Sequence, residues 1–222
     1  MPPTLVHATL GGLLAAALLD RAFSWRGVAV VVAAAAAPDL DAPLSLVLPG
    51  AHGAVLHTLL LPAVGALLLY YDTRRPDSWL RRRYGLAGVR IAWVALLAYA
   101  LAGTGLDLLN LDAANPVWPV DTMYYSFVGK VEYTTTQGFV QTYYRYDPEG
   151  RWAHYVGQRG RPPTFCKPSL WKPACGTDGS GAATRSSEVV QSGWQLLLVA
   201  VSPVVLFVRA RLEREGTAGG DR

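Results

Sequence analysis

Apolar residues run along this chain in five long blocks, at residues 5–19, 27–37, 54–71, 87–109 and 189–208. Short polar segments separate the first four, and one long polar segment precedes the last. A membrane-spanning helix needs ~20 predominantly apolar residues. The fourth and fifth blocks meet that length, and the first is shorter and carries His7. A cleaved leader would place a basic residue ahead of its apolar stretch, and Met-Pro-Pro-Thr has none. The first block is therefore read as a helix. The second meets Pro38, which disfavours helical geometry at Ala37 and ends or kinks the helix there. Asp39-Leu40-Asp41 follows. The third starts just after His52 and contains His57, and the fourth ends with Asp107.

Composition agrees with lipid as the solvent. The chain is 51% hydrophobic and 16% charged, against ~25% charged in a typical soluble domain. A net charge of +4 would suggest nucleic acid in a soluble protein. Here the arginines mark orientation, and nucleic acid is excluded as a partner. Segments 20–26 and 72–90 and the C-terminal tail hold most of them, while 42–52 has no Lys or Arg. Cytoplasmic loops collect Lys and Arg. Five crossings with the N-terminus outside and the C-terminus cytoplasmic put all three basic segments inside. Long loops translocate regardless of charge, so residues 110–193 fall outside.

Within that loop, residues 123–146 are rich in Tyr, Thr, Val and Phe. Val131–Asp147 reads as two strands around a turn near Gln137-Gly138. Residues 157–187 hold much Gly, Pro and Ser and read as irregular. Cys166 and Cys175 suit a disulfide in an oxidising compartment, with two unpaired thiols as an equal alternative. His154 reads as structural. The expected fold is an all-α polytopic bundle of about five membrane helices with a small β-rich extracytoplasmic loop domain. Its parts are 1–112 (four membrane helices), 113–188 (the loop domain), 189–210 (the last helix) and 211–222 (the tail).

On this topology His7, Asp39, Asp41, His52, His57 and Asp107 all come to the outer membrane face. A carboxylate deep in a spanning helix costs ~2.5–3.5 kcal/mol, so such residues face a cavity or a partner. A divalent cation would offset the cost, and imidazole with carboxylate donors suits zinc first, then manganese or iron. An extended segment would point Asp39 and Asp41 to one face. On one continuous helix His52 and His57 would diverge by ~140°, so His52 should precede the helix and reach back.

The order of these residues is Val-His-Ala-Thr-Leu-Gly-Gly at 6–12, Pro38-Asp-Leu-Asp41, His52-Gly-Ala-Val-Leu-His57-Thr, and a late Asp107 followed by Trp118-Pro119. It resembles the YdjM-like family of membrane-bound predicted metal-dependent hydrolases over residues 1 to about 120. The resemblance implies polar family positions at His7, Asp39, Asp41, His52, His57 and Asp107. Gly53-Ala54 stands where members often have Arg-Gly. Gly103 stands where the family's His-x-x-x-Asp element has its histidine. The expected activity is metal-dependent hydrolysis at the outer face of the inner or plasma membrane, on a lipid or lipid-linked substrate. His7, Asp39, Asp41 and His57 are the expected metal ligands, and His52 and Asp107 the catalytic pair. The alternative is a non-catalytic membrane scaffold that presents the Tyr-rich loop domain.

Overall fold

A computed structural model describes residues 4–48, 50–110, 113–129, 131–136, 138–142, 145–146, 152–153, 158–162 and 190–219. The chain forms two compact units. One draws on Pro2–Asp39, Leu59–Gly103 and Glu188–Arg222, the other on Leu40–Thr58 and Thr104–Ser187.

The first unit is helical: α1 (Thr4–Leu18), α2 (Trp25–Ala36), α3 (Leu60–Arg74), α4 (Trp79–Ala98) and, after α5 (Leu106–Leu108) of the other unit, α6 (Gly193–Gly219). α1 packs on α2 and α6, and α4 packs on α2 and α3. The core is small and aliphatic, with Ala15, Leu19, Val31, Ala35, Val94 and Ala98 at its centre. Gly11 sets the α1–α2 approach, because a Cβ there would stand 2.6 Å from Ala35 Cβ. Close contact through small residues is how helices associate where lipid removes the hydrophobic driving force. The Ser202 hydroxyl donates to the Thr9 carbonyl at 2.9 Å and ties α6 to α1. Many large apolar side chains point outward, Leu67 and Leu197 among them, as expected of surfaces that meet lipid.

Among the described residues, three spans are long and apolar enough to cross a membrane: Trp25–Leu46, Trp79–Leu108 and Gly193–Glu215. α1 and α3 have 15 residues each, about 22 Å at 1.5 Å per residue, short of a ~30 Å hydrocarbon core. Boundaries differ from the apolar blocks for local reasons. α3 begins at Leu60 because residues 51–58 are bound into turns. α4 begins at Trp79, capped by Ser78 Oγ, which accepts from Arg81 N. It bends at Gly85, whose φ of 67° only glycine adopts readily. α6 runs past Arg209, aided by the Arg209–Glu213 pair at 2.6 Å.

Past α2 the chain becomes 3₁₀ at Ala37–Asp41, leaving the helical unit after Asp39, and again at Pro43–Leu46 in the second unit. Leu40, Leu44, Leu46, Val47 and Leu48 are all exposed there, Val47 to 88%, while Asp41 is fully buried. α4 continues through a π segment, Tyr99–Gly105, into the short α5 (Leu106–Leu108). The expected hairpin is present, as β2 (Val131–Thr134) against β3 (Gly138–Gln141), with Gly138 at φ 69° ending the turn. Two further antiparallel ladders join β1 (Tyr124–Tyr125) to β6 (Gln158–Gly160) and β4 (Arg145–Tyr146) to β5 (Trp152–Ala153). The small sheet expected is thus three two-stranded ladders. The Trp118–Pro119 peptide bond is cis. His154, Cys166, Cys175 and most of 157–187 lie outside the described residues.

Asp121 ties this unit's surface together. Its carboxylate accepts from the Tyr125 hydroxyl (3.0 Å), Arg161 (2.9 Å) and the N–H groups of Thr122 and Met123. Partial burial works against ionisation, but the Tyr125, backbone and Arg161 donors outweigh it and hold the carboxyl below its ordinary 3.8.

Candidate functional site

Four of the six residues singled out from the sequence meet inside the second unit. Asp41 comes from the 3₁₀ segment, His52 and His57 from the turns before α3, and Asp107 from α5. All four are buried. Asp41 Oδ1 lies 2.9 Å from His52 Nδ1, and Oδ2 lies 2.9 Å from His57 Nδ1. Oδ2 also accepts the N–H groups of Gly53 (3.2 Å) and Leu56 (3.3 Å). On its other edge, His57 Nε2 lies 2.9 Å from Asp107 Oδ2. His57 is therefore bracketed by two carboxylates.

The turns that carry the histidines are held from several sides. Gly53 at φ 77° lets the chain double back between them, and its carbonyl accepts Asn115 N at 2.7 Å. The Thr58 hydroxyl donates to the Pro116 carbonyl at 3.2 Å. The Tyr124 hydroxyl sits between the carbonyls of Gly50 (2.5 Å) and His52 (3.0 Å). Burial, with the negative Asp41 nearby, pushes the Tyr124 hydroxyl well above its ordinary 10, so it stays a neutral donor. No motif marked Tyr124; it is one of 11 tyrosines in the sequence, and only the fold singles it out.

The other two residues belong to the helical unit. His7, buried on α1, donates from Nδ1 to the Ala102 carbonyl. Its Nε2 is 3.8 Å from Asp39 Oδ1. Asp39 and Asp41 do not share a face as an extended segment would require. In a 3₁₀ segment with 3.0 residues per turn, positions two apart point about 120° from each other, and the carboxylates serve different histidines. His57 likewise precedes α3 rather than lying in it.

These contacts fix the ring tautomers. The Ala102 carbonyl has no proton to give, and an ionised carboxylate only accepts. Each Nδ1 must therefore carry the hydrogen, which leaves Nε2 as the basic nitrogen of His7 and His52; His57 Nε2 faces the Asp107 carboxylate at 2.9 Å, so a proton or a cation must lie between them. Histidines that bind metals donate their other N–H to a carboxylate or carbonyl in this way. Donor chemistry thus fits a divalent ion. Donor count is less complete: among the described residues, no three His, Cys, Asp or Glu side chains gather as a ligand set. Gly103 is packed too tightly for the histidine expected in that place. A Cβ there would lie 2.7 Å from Pro38 Cγ and 3.0 Å from the Ala35 carbonyl.

Apolar spanning helices and a buried histidine–carboxylate network define a helical membrane protein with a polar centre. Its family is shown by sequence comparison. The chain belongs to the YdjM inner membrane protein family, whose model matches residues 1–159. The match extends beyond the first 120 residues on which the resemblance was read. No curated protein and no solved structure matches the chain.

Proposed function

We propose that the chain is a metal-dependent hydrolase of the inner membrane, acting at the outer face on a lipid or lipid-linked substrate. A phosphoester is the bond to test first. The observation that carries this reading is the carboxylate that the two histidines share. One carboxylate, Asp41, holds the Nδ1–H of both His52 and His57, and Asp107 stands at the Nε2 edge of His57.

His57 Nε2, Asp107 and His52 Nε2 are the proposed donors, with zinc the first candidate and manganese or iron next. His7 with Asp39 repeats the same pairing of ring and carboxylate. Such an ion, when bound, would supply a water of lowered pKa for hydrolysis near neutral pH. The chain's own part is clearer. Asp41 keeps both rings in one tautomer and stabilises positive charge on either. Without an ion, His57 Nε2 and the Asp107 carboxylate would hold one proton between them, and binding an ion there would release it.

The arginine distribution supports an N-terminus outside, a cytoplasmic C-terminus and five crossings, with α1 and α3 crossing with help from their flanking turns. Single-cysteine labelling of intact cells would place each end.

Elemental mass spectrometry on detergent-purified protein tests the reading. Parent protein should hold about one transition metal per chain, and Asp107→Ala or His57→Ala should lose it. Parent protein that stays metal-free after incubation with zinc or manganese would sink the hydrolase. The second reading, a non-catalytic scaffold, would then stand. It is favoured by Gly103, where packing against Pro38 occupies the place of the family histidine.

A further inference from the structure

The helical unit has a second feature, built from residues that the histidine site does not use. A groove of about 490 Å³ opens along α3 and α4. Leu68 and Leu69 of α3 face Leu80, Ala92, Leu96 and Tyr99 across it. Gly65 sets how close the two walls come, since a Cβ there would stand 2.9 Å from Leu96 Cδ2.

One end of the groove is polar. Asp72 lies there, and its oxygens accept from the Ser78 hydroxyl (2.7 Å) and the N–H groups of Trp79 (2.9 Å) and Leu80 (3.2 Å). Its negative charge is therefore committed to the first turn of α4. Arg75 is close enough to act on that charge, and Arg74, Arg81, Arg82 and Arg83 flank this end in sequence. Arg81 Nη2 donates to the Thr73 carbonyl at 3.1 Å, which places its guanidinium beside that end. Arg74 lies over the Tyr70 ring at 4.9 Å and Arg75 over Tyr71 at 4.2 Å. Among the described residues Arg74, Arg81, Arg82 and Arg83 form no ion pair with a carboxylate, and Arg75 interacts with Asp72 without coming into contact. Tyr70, Tyr71, Trp79 and Tyr84 are exposed in the same region. Exposed Trp and Tyr beside arginine mark the level of the lipid headgroups.

An apolar trough that starts at headgroup level under a cluster of guanidinium groups has the layout of an anionic amphiphile. We propose that this groove binds one anionic phospholipid, with its phosphate among Arg74, Arg75 and Arg81 and an acyl chain between Leu68 and Leu96. Basic pockets between membrane helices on the cytoplasmic side hold such headgroups. A second copy of the chain fits less well. A two-fold interface here would set one arginine cluster against its own image.

Native mass spectrometry of the full-length protein in mild detergent tests this. The probes are phosphatidylglycerol and phosphatidylcholine with identical acyl chains. The parent should retain phosphatidylglycerol over phosphatidylcholine by about tenfold or more, since each basic residue near the headgroup contributes substantially. The triple change Arg74→Gln, Arg75→Gln, Arg81→Gln should bring the ratio close to one. Ala92→Trp fills the trough and should lower retention of both lipids, with Leu68→Phe as a milder substitute if the first variant does not fold. Equal retention of the two lipids by the parent would overturn the proposal. So would a dimer that forms through this face and excludes phosphatidylglycerol. Metal content should be unchanged in every variant, which separates this outcome from that of the hydrolase test.

Discussion

Asp41→Asn is the most informative single change. In the parent, two carboxylate oxygens accept four hydrogens: two imidazole N–H and two backbone N–H. Asparagine offers one oxygen acceptor and one NH₂ donor of nearly the same shape. Whichever way the amide turns, its nitrogen meets at least one group that was donating. That histidine must move its hydrogen to Nε2 so that Nδ1 can accept. Hydrogen bonds to a charged group contribute about 1.5–3 kcal/mol each, and a buried donor left unmade costs about 1–3 kcal/mol. Tautomer exchange recovers part of this, so the net loss of stability should be about 2–4 kcal/mol. Asp41→Ala strands all four donors and should cost more. The assay has two arms: denaturant unfolding in detergent, and ¹⁵N-edited NMR of the imidazole rings. The parent should show His52 and His57 as Nδ1–H forms, and Asp41→Asn should show one of them converted. A parent already in the Nε2–H form, or an Asn variant within about 0.5 kcal/mol of the parent with unchanged tautomers, would refute the argument that Asp41 orients the site.

Three further outcomes are expected. Gly103→Ala should destabilise the protein by about 1–3 kcal/mol in the same unfolding assay, because its Cβ overlaps Pro38 and the Ala35 carbonyl; Gly103→His should be worse, and a stable metal-binding Gly103→His protein would contradict the packing. Tyr124→Phe removes the hydroxyl shared by the Gly50 and His52 carbonyls and should cost about 1–2 kcal/mol, with the His52 NMR signal shifted. Asp121, whose carboxyl titrates below its ordinary 3.8, contributes stability that is present above that value and lost as pH falls through its lower folded value. Acid titration of loop-domain tyrosine fluorescence should therefore show a transition below pH ~4 that Asp121→Asn removes.

The membrane character of the chain could be read directly, because long apolar blocks and clustered arginines follow from the solvation of single residues. The β2–β3 hairpin was also legible, since Gly138 supplies the turn and Tyr, Val and Phe supply the strands. Each of the six polar residues stood out for the same reason, being costly where it stands unless it has a partner. Their pairing did not. Whether Asp39 and Asp41 point together depends on whether the backbone after Pro38 is extended or 3₁₀, and the proline is compatible with either. The start of α3 was obscured because residues 54–59 are apolar enough to pass for helix. Bonds from Asp41 to Gly53 and Leu56, and from Asn115 and Tyr124 to residues 50–53 just ahead, hold the chain in turns instead. All three lie far along the chain, so no local window contains them. The place of Gly103 was visible as a departure from the family pattern, but its cause, contact with Pro38, needed coordinates.

The segment that carries Asp41 turns five large aliphatic side chains outward while the carboxylate points inward. That outer surface suits lipid better than water, so the amphiphile around the protein covers the segment that carries Asp41. The chain length and packing of that amphiphile then become variables of the site itself. A preparation in short-chain detergent and one in a native-like bilayer should differ in the rigidity of His52 and His57. The bilayer, by its thickness and order, is in this sense a component of the histidine site that the gene does not encode.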